Sequence, residues 1–174
     1  MFRRLVVLAV MLLAVMGVCL GAAPPRLAAP AAARSPTAGE RNPADVVLAR
    51  RILMAGIGRN MDEITGMTEA GGTLNLPDGH EHADVISTML LAFPHLFPVE
   101  TDTWSERLAE DDPAHVSLAL PTVWRNYDEF VERAQRASQI ALDASFATAP
   151  DRFRELAKDL QQACDSCHQK FRRP

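Results

Sequence analysis

Near its C-terminus the chain reads QQACDSCHQKFRRP (residues 161–174), with Cys164, Cys167 and His168 inside five consecutive positions. Two cysteines separated by two residues serve as a redox dithiol, half of a zinc site, a disulfide or an anchor for haem. A redox dithiol opens a helix that follows a strand, within a βαβ pattern this chain does not carry. A structural zinc site takes four ligands, usually as two pairs, and His80 with His82 would have to supply the second. A disulfide between residues i and i+3 of a helix is strained, closes too short a loop to stabilise much, and leaves His168 without a role. Haem attachment uses all three residues. On a helix, positions i, i+3 and i+4 project to one face, so both thiols meet the vinyl groups of one porphyrin edge while the imidazole reaches the iron. C-x-x-C-H is a specific signal, and one covalently held haem c is the expected cofactor.

The opposite end, MFRRLVVLAVMLLAVMGVCLGAA, has Arg3 and Arg4, an apolar run from Leu5 to Leu20, and then small residues. This is the layout of an export signal. Residues 1–33 are expected to be a signal peptide with an Ala/Pro-rich tail, 34–43 a flexible lead-in segment, and 44–174 the folded domain, placed in the periplasm. Pro24 would hinder cleavage after Ala23, which moves the expected cut to the stretch 29–33. Left uncleaved, the apolar run is close to the ~20 residues that span a bilayer, and only then would the chain be membrane-bound. Cys19 is a poor lipidation site because Val18 stands where a small residue is needed. Cleavage removes Cys19 and leaves Cys164 and Cys167 as the only cysteines of the exported chain.

The 174 residues are 48% apolar, enough for the core of one domain. A net charge of −4 and the absence of basic runs in the body of the chain exclude nucleic acid as a partner. Neither paired carboxylates nor a nucleophile beside a base stands out, so an enzyme is not expected.

Apolar residues from Val47 through Met54, Ile57, Met61 and Ile64 step by three and four, which predicts a first helix over about 44–68. Gly71-Gly72 and Pro77-Asp78-Gly79 read as helix breakers. A second helix is expected over about 83–97, kinked or ended by Pro94. The polar stretch 98–120 gives no firm pattern, beyond Trp104 and Leu108 as candidates to cover one end of the core. Pro121-Thr122 opens a third helix running to about Ser145, with small residues in its far half. Ala149-Pro150-Asp151 opens the fourth, which carries the cysteine pair. Four amphipathic helices without alternating strands predict an all-α, antiparallel up-down-up-down four-helix bundle holding haem near its C-terminus.

A C-terminal C-x-x-C-H on the last helix of such a bundle resembles the class II cytochromes c, which include cytochrome c prime and its low-spin, methionine-ligated relatives. The resemblance spans about 44–174, with LFP closing the second helix, PTVW opening the third and CDSCHQKFR on the fourth. It implies that Cys164 and Cys167 form thioethers, that His168 is the proximal iron ligand, and that Arg172 stands beside the proximal imidazole. RRILMAG (50–56) is similar to the family's first-helix motif, a basic residue followed four positions later by the residue facing the distal side of the haem. Met54 is therefore the candidate sixth ligand, although a methionine on an apolar seam is also ordinary core. Arg50 lies on that seam, where a charge needs a partner. A haem propionate would provide one; otherwise the side chain reaches solvent at the bundle's end. His80, His82, His95 and His115 belong to no ligand motif.

With Met54 on the iron, the protein would carry electrons between redox partner proteins, its iron cycling between ferric and ferrous states. Lys170, Arg172 and Arg173 offer a positive patch for docking. Without Met54 as ligand, a five-coordinate haem would bind nitric oxide or carbon monoxide. The resemblance also implies a homodimer through the first two helices.

Overall fold

The computed structural model describes residues 42–174. The expected signal peptide and nearly all of the expected lead-in segment lie outside the described residues. Among those described, no helix is long and apolar enough to cross a membrane.

Helix α1 spans Pro43–Thr68. Asn42 caps it, accepting a hydrogen bond from the Ala44 amide at 3.1 Å, and Pro43 fits the first turn, where its missing N–H is not needed. Its inward seam is the one read from the sequence, with Val47, Ile57, Met61 and Ile64 buried. Gly71 then turns the chain with φ of 93°, a conformation open to glycine without strain.

Helix α2 spans Leu76–Ala92, about two turns earlier than the sequence suggested. The reading of Pro77-Asp78-Gly79 as a helix breaker is corrected here. Pro77 sits in the first turn, where proline is tolerated. Gly79 is kept small by tertiary contact: a Cβ there would lie 2.6 Å from Cζ of the buried Phe153 ring. Pro94 ends the α-helix as expected, and Phe93–Leu96 continue as a 3-10 turn.

The connection carries a 3-10 turn at Val99–Thr101 and a short helix, α3, at Glu106–Asp111. No residue of α3 is buried and Trp104 is 43% exposed, so neither Trp104 nor Leu108 covers the core. Buried residues of this stretch are Thr101, Val116 and Ser117. The expected third helix is two pieces, α4 at Thr122–Arg125 and α5 at Tyr127–Ser145, broken at Asn126 with φ −127° and ψ 47°. Helix α6, Pro150–Phe171, matches its expected start.

Helices α1, α2, α5 and α6 form an antiparallel four-helix bundle, packed chiefly as α1 on α2, α2 on α5 and α5 on α6. One apolar cluster, built on Ile64, Ile86, Ala141, Phe153 and Leu160, fills the bundle's body. A second, of Phe97, Val123, Phe130 and Phe171, closes its other end. The alanines of α5 serve two tasks: Ala137, Ala141 and Ala144 pack in the first cluster, and Ala134 with Ala137 borders the space between the clusters.

Candidate haem site

That space is a cavity of about 490 Å³, mostly apolar, within the range of small-molecule and cofactor sites. Arg50, Met54, Cys164, Cys167, His168 and Arg172 all line it. Residues selected more than a hundred positions apart in the sequence are thus gathered around one volume. Helix α6 presents Cys164, Cys167 and His168 on one face, as their spacing requires, and α1 presents Arg50 and Met54. Met54 is only partly buried, unlike Ile57 and Met61 on the same seam. Met61 also borders the cavity and is a second thioether that the sequence reading treated as core.

Both thiols are free and half-buried. Burial pushes the Cys164 thiol up to about 11, with Cys167 and Asp165 adding to the effect. Cys167 is raised by burial too, partly offset by Arg133. His168 moves the other way: burial lowers it, the Arg172 guanidinium lowers it further, and Asp165 opposes both. A neutral imidazole is the form that ligates a metal. Two unbonded thiols and a neutral imidazole on one face of an apolar cavity fit a c-type haem, and the resemblance-based placement of Arg172 beside His168 agrees with its effect on that ring.

Arg50 does not reach solvent; it is 5% exposed. Its Nη1 donates to Thr101 Oγ1 at 3.0 Å, and its Nη2 donates to the Thr101 carbonyl and to Ser117 Oγ, each at 3.1 Å. The guanidinium lies 4.4 Å from the Phe97 ring centroid. Burial lowers its pKa to about 10, with Asp102 opposing. These partners lie 51 and 67 residues along the chain, in the connection that carries no periodic sequence pattern. The available signal was the charge itself, since a buried arginine demands acceptors.

The basic tail is less free than the sequence implied. Lys170 Nζ pairs with Glu129 Oε2 at 2.5 Å, and Glu129 also takes Arg133 at 2.9 Å, which holds its carboxyl below the usual range. Arg173 stacks over Trp104 at 4.3 Å, which leaves Arg172 as the exposed cation at the cavity's edge. The other histidines stand elsewhere. His80 bonds the Ala147 carbonyl, His82 bonds Asn60, and His115 bonds Asp112; neither they nor His95 border the cavity. Among the described residues, no group of three or more His, Cys, Asp or Glu is placed to hold a metal ion, and His80 with His82 do not complete a zinc site with the cysteines.

The chain is 29% identical over 126 residues to cytochrome c-556 of Agrobacterium fabrum, covering 71% of this chain and 77% of that protein. In fold it is similar to the cytochrome c' of Thermochromatium tepidum, with a TM-score of 0.66 at 20% identity over 77% of this chain and 98% of that one. The same scores and coverage relate it to a cytochrome c' described as having an unusual ligand-controlled dimer dissociation. The family profile of cytochrome C' matches residues 45–172, from the first turn of α1 to Arg172, and on that match the chain belongs to the cytochrome c' family of haem proteins.

Proposed function

We propose that this protein is an exported electron carrier, not an enzyme, with one haem c joined covalently to Cys164 and Cys167 and ligated by His168 and Met54. The observation that carries this reading is the meeting of Met54 from α1 and His168 from α6 at one apolar cavity. When bound, the haem supplies a one-electron couple whose potential is raised by histidine–methionine ligation relative to two nitrogen ligands. The chain's own residues do the rest. Burial and Arg172 keep the His168 imidazole unprotonated, so it stays available to a metal. The Met54 thioether needs no deprotonation to bind. Apolar walls such as Ile57, Leu90 and Phe93 exclude water and limit reorganisation as charge changes.

Three of the five guanidinium donors of Arg50 are committed to Thr101 and Ser117, so a propionate would meet only the remainder. Arg51 and Arg172 also border the cavity and suit the same carboxylates. Docking of an electron-transfer partner would use the surface around exposed Arg172, where charge chiefly steers encounter. The periplasm is the proposed compartment, from the leader pattern of residues 1–33. A homodimer through α1 and α2 is proposed as well, supported by exposed Ile52 on α1 and by Val85 and Leu91 on α2.

The competing reading is a five-coordinate haem that binds nitric oxide or carbon monoxide. Exposing the purified ferrous protein to carbon monoxide separates the two. Sharp low-spin bands that persist under the gas are expected; a high-spin spectrum that changes promptly would overturn the carrier reading.

A further inference from the structure

Helices α1 and α6 carry the two candidate axial ligands, yet each packs mainly on another helix, and both line the cavity. Something else must fix their separation. Residues 116–120 cross from one to the other. On the α1 side, Arg50 Nη2 donates to Ser117 Oγ at 3.1 Å and Arg51 Nη1 to the Val116 carbonyl at 3.3 Å. On the α6 side, Ala119 forms an antiparallel bridge with Arg172; the Leu120 amide donates to the Phe171 carbonyl at 2.8 Å and the Arg173 amide to the Leu118 carbonyl at 2.7 Å. Thr122 Oγ1 adds a bond to the Lys170 carbonyl at 2.9 Å.

The attachment points are placed with regard to the ligands. Arg50 lies one helical turn before Met54, and Arg172 lies one turn after His168. From Ser117 to Leu120 an extended chain covers about 10 Å, the scale of a helix–helix separation. Leu118 and Ala119 also line the cavity themselves.

We propose that residues 116–120 are a strap that sets the distance between α1 and α6 at the level of the iron, with Arg50 and Ser117 as positioning residues that hold Met54 within reach of it. This rests on Met54 being the sixth ligand. The buried Thr101 contacts make the Arg50 anchor rigid, since with Ser117 they hold its head group from two segments at once. Loosening the tie lets α1 move outward and shifts the haem toward five-coordination.

The test uses purified holoprotein and carbon monoxide as the probe. Ser117→Ala deletes one buried hydroxyl and is expected to raise the five-coordinate, gas-reactive fraction roughly tenfold, the scale of one lost charge-assisted hydrogen bond. Arg50→Gln is expected to raise it further, and Arg50→Lys, which keeps charge and a donor, to recover part of the wild-type spectrum. Ser138→Ala is the control: it breaks an equally buried pair, Ser138 with Ser87, between α2 and α5 and away from the cavity. It is expected to lower thermal stability without changing the spin state. A Met54-dependent low-spin wild type whose Ser117→Ala and Arg50→Gln variants take up no more gas overturns the strap alone. An equal rise in Ser138→Ala also overturns it, because general loosening would then suffice. A wild type that is already high-spin overturns both the strap and the ligand reading.

Discussion

Replacing Arg50 with methionine removes a buried charge and keeps much of the side chain's length, and the structure supplies both sides of the balance. Burial lowers the guanidinium pKa from its ordinary value to about 10, equivalent to about 3 kcal/mol against the charged form in the folded state. At neutral pH, below both values, that penalty is present in full, and the substitution relieves it. Against this stand three hydrogen bonds from a charged donor to Thr101 and Ser117, each worth roughly 1.5–3 kcal/mol. Some of that loss is cushioned. Thr101 Oγ1 keeps its bond to the Pro98 carbonyl and Ser117 Oγ still accepts from the Ala119 amide, while the Thr101 carbonyl loses its charged partner. The lower end of the range then applies, about 4.5 kcal/mol against the relieved penalty of about 3, giving a net loss of about 1–2 kcal/mol. Denaturant unfolding of the holoprotein followed by helical circular dichroism measures it. An Arg50→Met protein as stable as wild type, or more so, would refute the view that this arginine is a structural anchor and would favour a tolerated but costly buried charge.

Other consequences are independent of that residue. Arg172 helps keep His168 unprotonated, so Arg172→Ala raises the imidazole's proton affinity; in an acid titration followed by the visible spectrum, loss of proximal ligation should move to higher pH, and a shift the other way contradicts the assignment. Substituting both Cys164 and Cys167 by alanine should leave no haem stain on the chain after denaturing electrophoresis, whereas retained stain would place the attachment elsewhere. Gly79→Ala gains helix propensity but pushes a methyl group against buried Phe153; the net loss of about 1 kcal/mol should lower Tm by about 4 °C, and an unchanged Tm would mean the ring moves aside freely.

Local patterns carried the four long helices because each has an apolar seam that repeats every three to four residues. The C-x-x-C-H face was legible for the same reason: the spacing alone puts its three side chains together. Features settled by distant partners were harder to read. Gly79 looked like a breaker because its reason for being glycine, the Phe153 ring, is 74 residues away. Asn126 divides a segment whose apolar period runs on without interruption. The connection 98–120 has no amphipathic period, since its buried residues are Thr101, Val116 and Ser117, two of them polar and chosen to satisfy Arg50. A charge on the seam of α1 said that partners were needed; sequence spacing could not say which.

In the proposed carrier, Met54 completes the coordination of the iron. The direct measurement is the visible spectrum of Met54→Ala beside wild type, each with and without carbon monoxide. A low-spin, gas-insensitive wild type and a high-spin, gas-reactive variant are expected; two identical spectra would contradict Met54 as the sixth ligand.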